Sequence, residues 1–262
     1  MIRGSLAKRE SEVQNGFRLR GLGEVSRVEA LSDGVFAFAI TLLVVSLEVP
    51  RTFDDLLVTM RGFLAFAITF AMLFHVWHTQ YRFFRRYGLN DNSTVWLTAL
   101  LLFVVLFYVY PLKFVWTFVV NALLGLGTKV ETSAGSFEPM VRGEQVPSMF
   151  VVYGVGFAAV FVIFALLYLH AYRRRAALEL SELESHDTVS AFQENALMAL
   201  VGVVSVAIAL TRNPRYMTLS GMSYWLIAPV MFLHGYARGR RRKRLEQHLA
   251  HDAESPLNVP AG

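Results

Sequence analysis

The chain has 262 residues and a formal net charge of +5 at pH 7; 55% of the residues are hydrophobic and 17% are charged. Soluble domains carry about 25% charged residues, so this composition excludes a soluble fold and is typical of a membrane protein. Cysteine is absent, which excludes disulfides, thiolate metal sites and cysteine nucleophiles. We therefore predict an all-α membrane protein.

Six apolar stretches are long enough to cross about 30 Å of hydrocarbon at roughly 1.5 Å per residue. They lie near 30–49, 62–81, 94–113, 148–170, 193–211 and 217–236. We predict three regions: an N-terminal segment at 1–26, a six-helix transmembrane domain at 27–236 and a basic C-terminal tail at 237–262. The glycine-containing loop 121–147 is predicted to be an irregular segment outside the cell.

Basic residues cluster after the second, fourth and sixth spans, and Lys and Arg near span ends stay in the cytoplasm. The clusters are Arg82, Arg85 and Arg86; Arg173, Arg174 and Arg175; and Arg238, Arg240, Arg241, Arg242, Lys243 and Arg244. This predicts a multi-pass protein of the cell membrane with both termini in the cytoplasm. Because the last cluster directly follows a span, attraction to anionic lipid explains it better than nucleic-acid binding does, and nucleic acid is not predicted as a partner.

The first span has only 14 uncharged residues between Asp33 and Glu48, too few to cross a bilayer. We therefore expect the helix to extend back through Ser32 and Asp33 towards Arg27, which brings polar residues into the membrane. An intramembrane carboxylate is costly, so Asp33 is a candidate site residue that faces partners or water. The alternative is that Ser32 or Asp33 caps the helix N-terminus.

Helical spacing divides the first span into two faces. One face consists of Phe38, Thr41, Leu42 and Val45, and the other of Phe36, Ile40, Leu43 and Leu47. Small residues at Ala30, Gly34 and Ala37 allow close approach of another helix. The pattern predicts a helix at the centre of an assembly.

The segment from Arg27 to Pro50, RVEALSDGVFAFAITLLVVSLEVP, resembles the first helix of the transmembrane protein 175 family in its single-repeat prokaryotic form. Arg27, Ser32 and Asp33 match the hallmark of Arg, three residues, then Phe-Ser-Asp, although Leu31 replaces the usual Phe.

A second segment, WHTQYRFF from Trp77 to Phe84, is similar to the second-helix pattern of the same family. That pattern is Trp, two residues, His, one residue, Arg, a hydrophobic residue and Phe. Trp77 and Arg82 match it, and Gln80 stands at the His position. Gln80 can still donate and accept hydrogen bonds there.

The resemblance implies a potassium-permeable cation channel, assembled as a homotetramer whose first helices surround a central pore. It implies a hydrophobic constriction formed by Phe38, Leu42 and Val45, with a hydroxyl layer from Thr41. It also implies a structural polar network near the cytoplasmic mouth. The residues at the network positions are Arg27, Ser32, Asp33, Trp77, Gln80 and Arg82. Potassium ions, the bilayer and further copies of the chain are the expected partners.

Phe38 departs from the family pattern, because a branched aliphatic residue is usual at that position. Four phenyl rings predict a tighter constriction, an altered selectivity or a non-conducting pore. Two alternatives to a channel therefore stay open: a proton-coupled secondary transporter in which Asp33 relays protons, and a non-conducting membrane scaffold.

Other signals carry no function. The segment VVYGVGF, from Val151 to Phe157, faintly echoes a carbonyl selectivity filter, but it lies within a continuous apolar span, so we interpret Gly154 and Gly156 as helix-packing residues. His75 and His78 lack a third ligand at a useful spacing. A nucleophile paired with a base is not recognisable, so we predict that the chain is not an enzyme and holds no metal or cofactor.

Overall fold

The computed structural model describes residues 13–14, 17–21, 23, 25–45, 50–125, 127–131, 135–213 and 219–254. The helices are α1 Arg27–Val45, α2 Phe53–Arg61, α3 Phe63–Tyr87, α4 Asn92–Leu124, α5 Val146–Arg173, α6 Glu182–Leu210 and α7 Ile227–Glu254. Two short antiparallel hairpins pair β1 Val13–Gln14 with β2 Phe17–Arg18, and β3 Lys129–Glu131 with β4 Phe137–Pro139.

Five helical stretches within the described residues are long and apolar enough to cross a membrane, namely α1, α3, α4, α5 with the 3-10 turn before it, and α6. The chain is therefore a multi-pass membrane protein. The predicted span 217–236 is helical from residue 219, with a 3-10 turn at Ser223–Leu226. It then continues as α7 into the basic residues, so the predicted boundary after residue 236 lies inside a helix.

Several element boundaries differ from the predicted ones. Helix α4 continues to Leu124, because the apolar run after residue 113 extends it until Gly125 adopts a left-handed conformation with φ of 65°. The predicted irregular loop 121–147 instead contains the end of α4, the β3–β4 hairpin and a 3-10 turn at Gly143–Gln145. Helix α2 was not predicted.

Helices α1, α3, α4 and α5 surround a common hydrophobic core, and α6 packs along α5. Glycines permit the close contacts of α5, which is unbroken from Val146 to Arg173. A Cβ atom at Gly156 would lie 2.2 Å from Cε2 of Tyr108, and one at Gly154 would lie 2.5 Å from Cγ2 of Val206. The interpretation of these glycines as helix-packing residues is therefore confirmed.

Residues 17–21, here called the N-terminal tether, pack against the end of α3. The Phe17 ring is buried edge-on against Tyr87, with ring centroids 5.6 Å apart, and the Arg86 guanidinium lies 5.0 Å from its centroid. The backbone N–H of Gly21 donates to the Arg85 carbonyl at 3.0 Å. These contacts hold a polar segment against the helix ends.

A buried ion pair joins the tether to the start of α6. Arg20 Nη2 lies 2.7 Å from Glu184 Oε2, and the two side chains are 12% and 4% exposed. Glu184 also accepts hydrogen bonds from the backbone N–H groups of Arg18, at 2.7 Å, and Ser181, at 2.9 Å. Ser181 and Glu184 form a capping box, which explains why α6 begins at Glu182, well before the predicted 193.

A second polar cluster connects α4 to α5. Asp91 caps α4 and accepts hydrogen bonds from the Thr94 hydroxyl at 2.6 Å and from the backbone N–H of Thr94 at 3.3 Å. Its other oxygen lies 2.7 Å from His170 Nε2 and 3.2 Å from Arg174 Nη2. Burial alone raises the pKa of Asp91, but the hydrogen bonds from Thr94 and His170 outweigh it and hold this pKa below its usual range.

We expect Glu184→Ala to destabilise the protein by about 3–5 kcal/mol, because it leaves the Arg20 guanidinium buried without its partner. The matched control is Glu179→Ala, which removes an exposed pair with Arg18, 3.4 Å long, whose carboxylate side is 80% exposed. Exposed pairs contribute about 1 kcal/mol or less. Thermal unfolding of both full-length variants in one detergent measures the difference, and equal unfolding temperatures would contradict the structural role of Glu184.

Candidate functional site

Helix α1 begins with a capping box. The Glu29 N–H donates to Ser26 Oγ at 3.2 Å, and the Ser26 N–H donates to Glu29 Oε2 at 3.3 Å. The capping alternative for Ser32 and Asp33 is therefore wrong, because both residues lie inside the helix. The signal was present in the sequence, since Ser26 and Glu29 have the Ser-x-x-Glu spacing that is typical of a helix start.

One face of α1 is packed inside the chain. Ser32, Phe36, Ala39 and Leu43 are buried, and α1 contacts α3 and α4. Ile40 is half-buried on the same side, and Leu47 lies outside the described residues. Phe36 and Leu43 belong to the common core, so they position the helix axis.

The opposite face of α1 is uncovered. Phe38 is 58% exposed and Val45 is 70% exposed, Thr41 is exposed, and Leu42 is half-buried. Thr41 Oγ1 donates to the Ala37 carbonyl at 2.8 Å, so its proton is used within the helix and its lone pairs point away from that bond. This face is apolar with a single hydroxyl, which suits contact with another copy or with a pore.

Two hydrogen bonds between side chains connect α1 to α3. Trp77 Nε1 donates to Asp33 Oδ1 at 2.8 Å, and Gln80 Nε2 donates to Ser32 Oγ at 3.1 Å. The Ser32 hydroxyl in turn donates to the Val28 carbonyl at 2.8 Å. Ser32 and Asp33 are adjacent on α1 and project about 100° apart around its axis, while Trp77 and Gln80 lie about one turn apart on α3. The two bonds therefore fix the rotation of α1 about its axis.

Ser32, Asp33, Trp77 and Gln80 also line a small cavity of about 80 Å³, which reaches Gly21 of the tether. Gln80 is 2% exposed, and its Oε1 has no hydrogen-bond partner among the described residues. A buried carbonyl oxygen without a partner is costly, so this position is suited to a bound water or a further donor.

Arg27 and Arg82 lie apart from these bonds. Arg27 is exposed in the first turn of α1, and Arg82 is exposed on α3. Arg82 lines a larger cavity of about 450 Å³ together with His75, Thr79 and Glu194. The described part of the chain shows no hydrogen bond from either guanidinium to Ser32, Asp33, Trp77 or Gln80.

The chain is similar to known proteins over most of its length. Residues 27–108, which contain α1 and α3, match the model of a family described as the endosomal/lysosomal potassium channel TMEM175. A potassium channel of Marivirga tractuosa is 39% identical over 234 residues, which cover 88% of this chain and 94% of that channel. A potassium channel of Chamaesiphon minutus is 36% identical over 96 residues, or 34% of this chain and 47% of that channel.

A solved structure agrees with these matches. It is a crystal structure of a Thr-to-Ala variant of the potassium channel MtTMEM175 in complex with a nanobody–MBP fusion protein. The two chains have a TM-score of 0.74 and 38% sequence identity, over 87% of this chain and 98% of that one. The matched family and relatives are ion channels rather than enzymes. Similarity of this extent confirms the resemblance found in the motifs, and the chain belongs to the TMEM175 family.

Proposed function

We propose that the chain is a potassium-selective or weakly selective cation channel, in which four copies place their α1 helices around a central pore. The uncovered face of α1 is the observation that carries this proposal. A membrane helix that is buried on one side and bears Phe38, Thr41 and Val45 on the other has a surface available for the pore. The near full-length relative named a potassium channel supports it.

The proposed constriction consists of Phe38, Leu42 and Val45, with Thr41 between them. A narrow apolar ring opposes ion passage because it dewets and because a passing ion loses hydration there. Thr41 compensates part of that loss, since its proton is donated to Ala37 and its oxygen lone pairs remain for a cation. Phe38 sets the narrowest radius in this arrangement.

The polar network is proposed to hold α1 at the angle that the pore requires. The bonds from Trp77 to Asp33 and from Gln80 to Ser32 support this role for four of its members. Arg27 and Arg82 are proposed to join it through contacts that a single chain does not contain. Asp33 is next to the exposed face, and attraction of cations is its second proposed role.

The orientation of the channel follows from where the basic residues gather. Tyr87 at the end of α3 bonds to Thr188 of α6 at 2.9 Å, and Asp187 pairs with Arg242 of α7 at 3.2 Å. The Arg clusters in the last turns of α3 and in the second half of α7 therefore lie at one end of the bundle. Because Lys and Arg remain in the cytoplasm, we propose that this end and both termini are cytoplasmic in the cell membrane.

The transporter and scaffold alternatives require different features of α1. A carrier of the broken-helix type needs an interruption at the binding site, and α1 is a continuous helix from Arg27 to Val45. A scaffold is favoured by one observation, the size of the Phe38 ring on the uncovered face. Ion flux separates all three.

We expect purified protein in liposomes to release potassium faster than sodium under matched gradients, without saturation and without a pH requirement. Valinomycin added at the end reports vesicle integrity. Saturable, proton-dependent uptake would instead support the transporter, and an intact tetramer without flux would support the scaffold.

Replacing Phe38 with Ala should raise cation leak several-fold and lower the preference for potassium, because the widened ring no longer dewets. The matched control is Phe107→Ala on α4, since Phe107 is 72% exposed but lies on a different helix. The same liposome assay measures both variants. Equal flux from wild type and Phe38→Ala would remove Phe38 from the pore.

Replacing Asp33 with Ala should reduce the fraction of folded tetramer, because Trp77 loses its acceptor at a cost of about 1 kcal/mol in each subunit. Asp33→Asn keeps an acceptor oxygen but removes the charge, so it should assemble almost normally. Size-exclusion chromatography with cross-linking measures assembly, and flux is measured in parallel. Normal assembly of Asp33→Ala, or normal assembly with lost flux in Asp33→Asn, would assign Asp33 to cation attraction instead.

A further inference from the structure

The basic stretch of α7 has one face that is already occupied. Arg238 donates a hydrogen bond to Gln193 of α6, and Arg242 donates to both oxygens of Asp187 at 3.2 Å. Arg242 also pairs with Glu246 at 2.6 Å. These side chains attach α7 to α6, so they are not available to an outside partner.

A different face of the same helix makes no such contacts with the part of the chain that the structure describes. Phe232 and Tyr236 are exposed and stacked, with ring centroids 6.4 Å apart. Arg240, Lys243 and Arg244 follow them and are exposed as well. At 3.6 residues per turn, these five residues lie within an arc of about 120°, whereas Arg241 projects from another side.

Within the described residues, none of the three cations on this face forms an ion pair with a carboxylate. Arg240 rests over the Tyr236 ring, with its guanidinium carbon 4.6 Å from the centroid. The aromatic residues and the cations therefore form one continuous surface.

The order of residues along this surface matches the cross-section of a membrane interface. Tyrosine favours the boundary between hydrocarbon and headgroups. Arg240 lies four residues further on, or about 6 Å along the axis, which is close to the thickness of the headgroup layer. Lys243 and Arg244 lie at the outer edge of that layer, where cations attract anionic lipid.

We propose that this face of α7, formed by Phe232, Tyr236, Arg240, Lys243 and Arg244, binds the headgroups of anionic phospholipids. The inference rests on the predicted membrane span at 217–236 and on the proposed cytoplasmic position of the basic end of the bundle. With Tyr236 at the hydrocarbon boundary, Arg240 against its ring lies at the depth of the headgroups, and Lys243 and Arg244 lie one turn further on. Anionic lipid headgroups occupy that depth, whereas a soluble acidic partner would have to displace them. Charge complementarity and the continuous apolar face both favour lipid.

The test is lipid-dependent stabilisation of the full-length protein in a detergent with an uncharged headgroup. Phosphatidylglycerol should raise the unfolding temperature of the wild type, phosphatidylcholine should not, and salt should weaken the effect. In the triple variant Arg240→Gln, Lys243→Gln and Arg244→Gln, the half-saturating phosphatidylglycerol concentration should rise roughly tenfold or more.

Two controls separate the surface from charge in general. Two single variants are compared: Arg240→Gln removes a cation from the proposed surface, and Arg241→Gln removes one from another side of the same turn. Stabilisation by phosphatidylglycerol should stay closer to the wild-type value in Arg241→Gln than in Arg240→Gln. The charge-preserving variant Arg240→Lys, Lys243→Arg and Arg244→Lys should keep the response. An unchanged response in the triple glutamine variant would overturn the proposal, as would equal stabilisation by soluble polyglutamate, which would indicate an acidic protein partner.

Cation flux from phosphatidylcholine liposomes distinguishes this inference from the channel proposal. If phosphatidylglycerol and phosphatidylcholine change the unfolding temperature of the wild type equally while flux is retained, only the lipid surface is contradicted. A retained lipid response, with no flux from any variant, would count against the channel alone.

Discussion

The one-sided packing of α1 is the constraint on which the rest of the site depends. Inside a bilayer the hydrophobic effect does not separate one apolar face from another, so close packing and polar bonds must decide how a helix is rotated. Here Phe36 and Leu43 enter the common core, while the pairs Ser32–Gln80 and Asp33–Trp77 fix the rotation. Phe38, Thr41 and Val45 are left uncovered as a consequence.

Polar groups at one end of the bundle connect segments that are far apart in sequence. At the end where α3 finishes and α6 begins, Arg20, Glu184, Asp187 and Arg242 form ion pairs that join the tether, α6 and α7. The tether also contributes Gly21 to the cavity beside Asp33. The ion pairs therefore hold in place the segment that lines this cavity together with the first turns of α1, although Glu184 and Asp187 are far from α1 in sequence.

The two halves of the chain contribute differently to the proposed channel. The family model covers 27–108, the region that contains α1, α3 and their hydrogen bonds. Helices α5 and α6 pack closely through Gly154 and Gly202, and α5 supplies Phe164 and Leu167 to the common core. In the second half, α5 thus packs against α3 and α4. The last helix, α7, carries the proposed lipid surface.

The amino-acid sequence by itself determined the membrane class, the approximate position of the apolar helices and the two motifs that identify the family. These properties follow from composition, length and local spacing, which depend only on residues that are close in sequence. Periodicity also separated the two faces of α1. It could not say which face is buried, because both faces are apolar and lipid tails solvate either one equally well.

Only the tertiary structure decided that Phe36 faces inward and Phe38 outward, and that Asp33 meets Trp77. It also showed that Arg20 pairs with Glu184, 164 residues away, and that α4 and α7 continue past their predicted ends. The Ser26–Glu29 capping box had a local signal and could have been found from the sequence. The long-range pairs had none, because the partner of a buried charge or polar group is determined by which helices are neighbours in space.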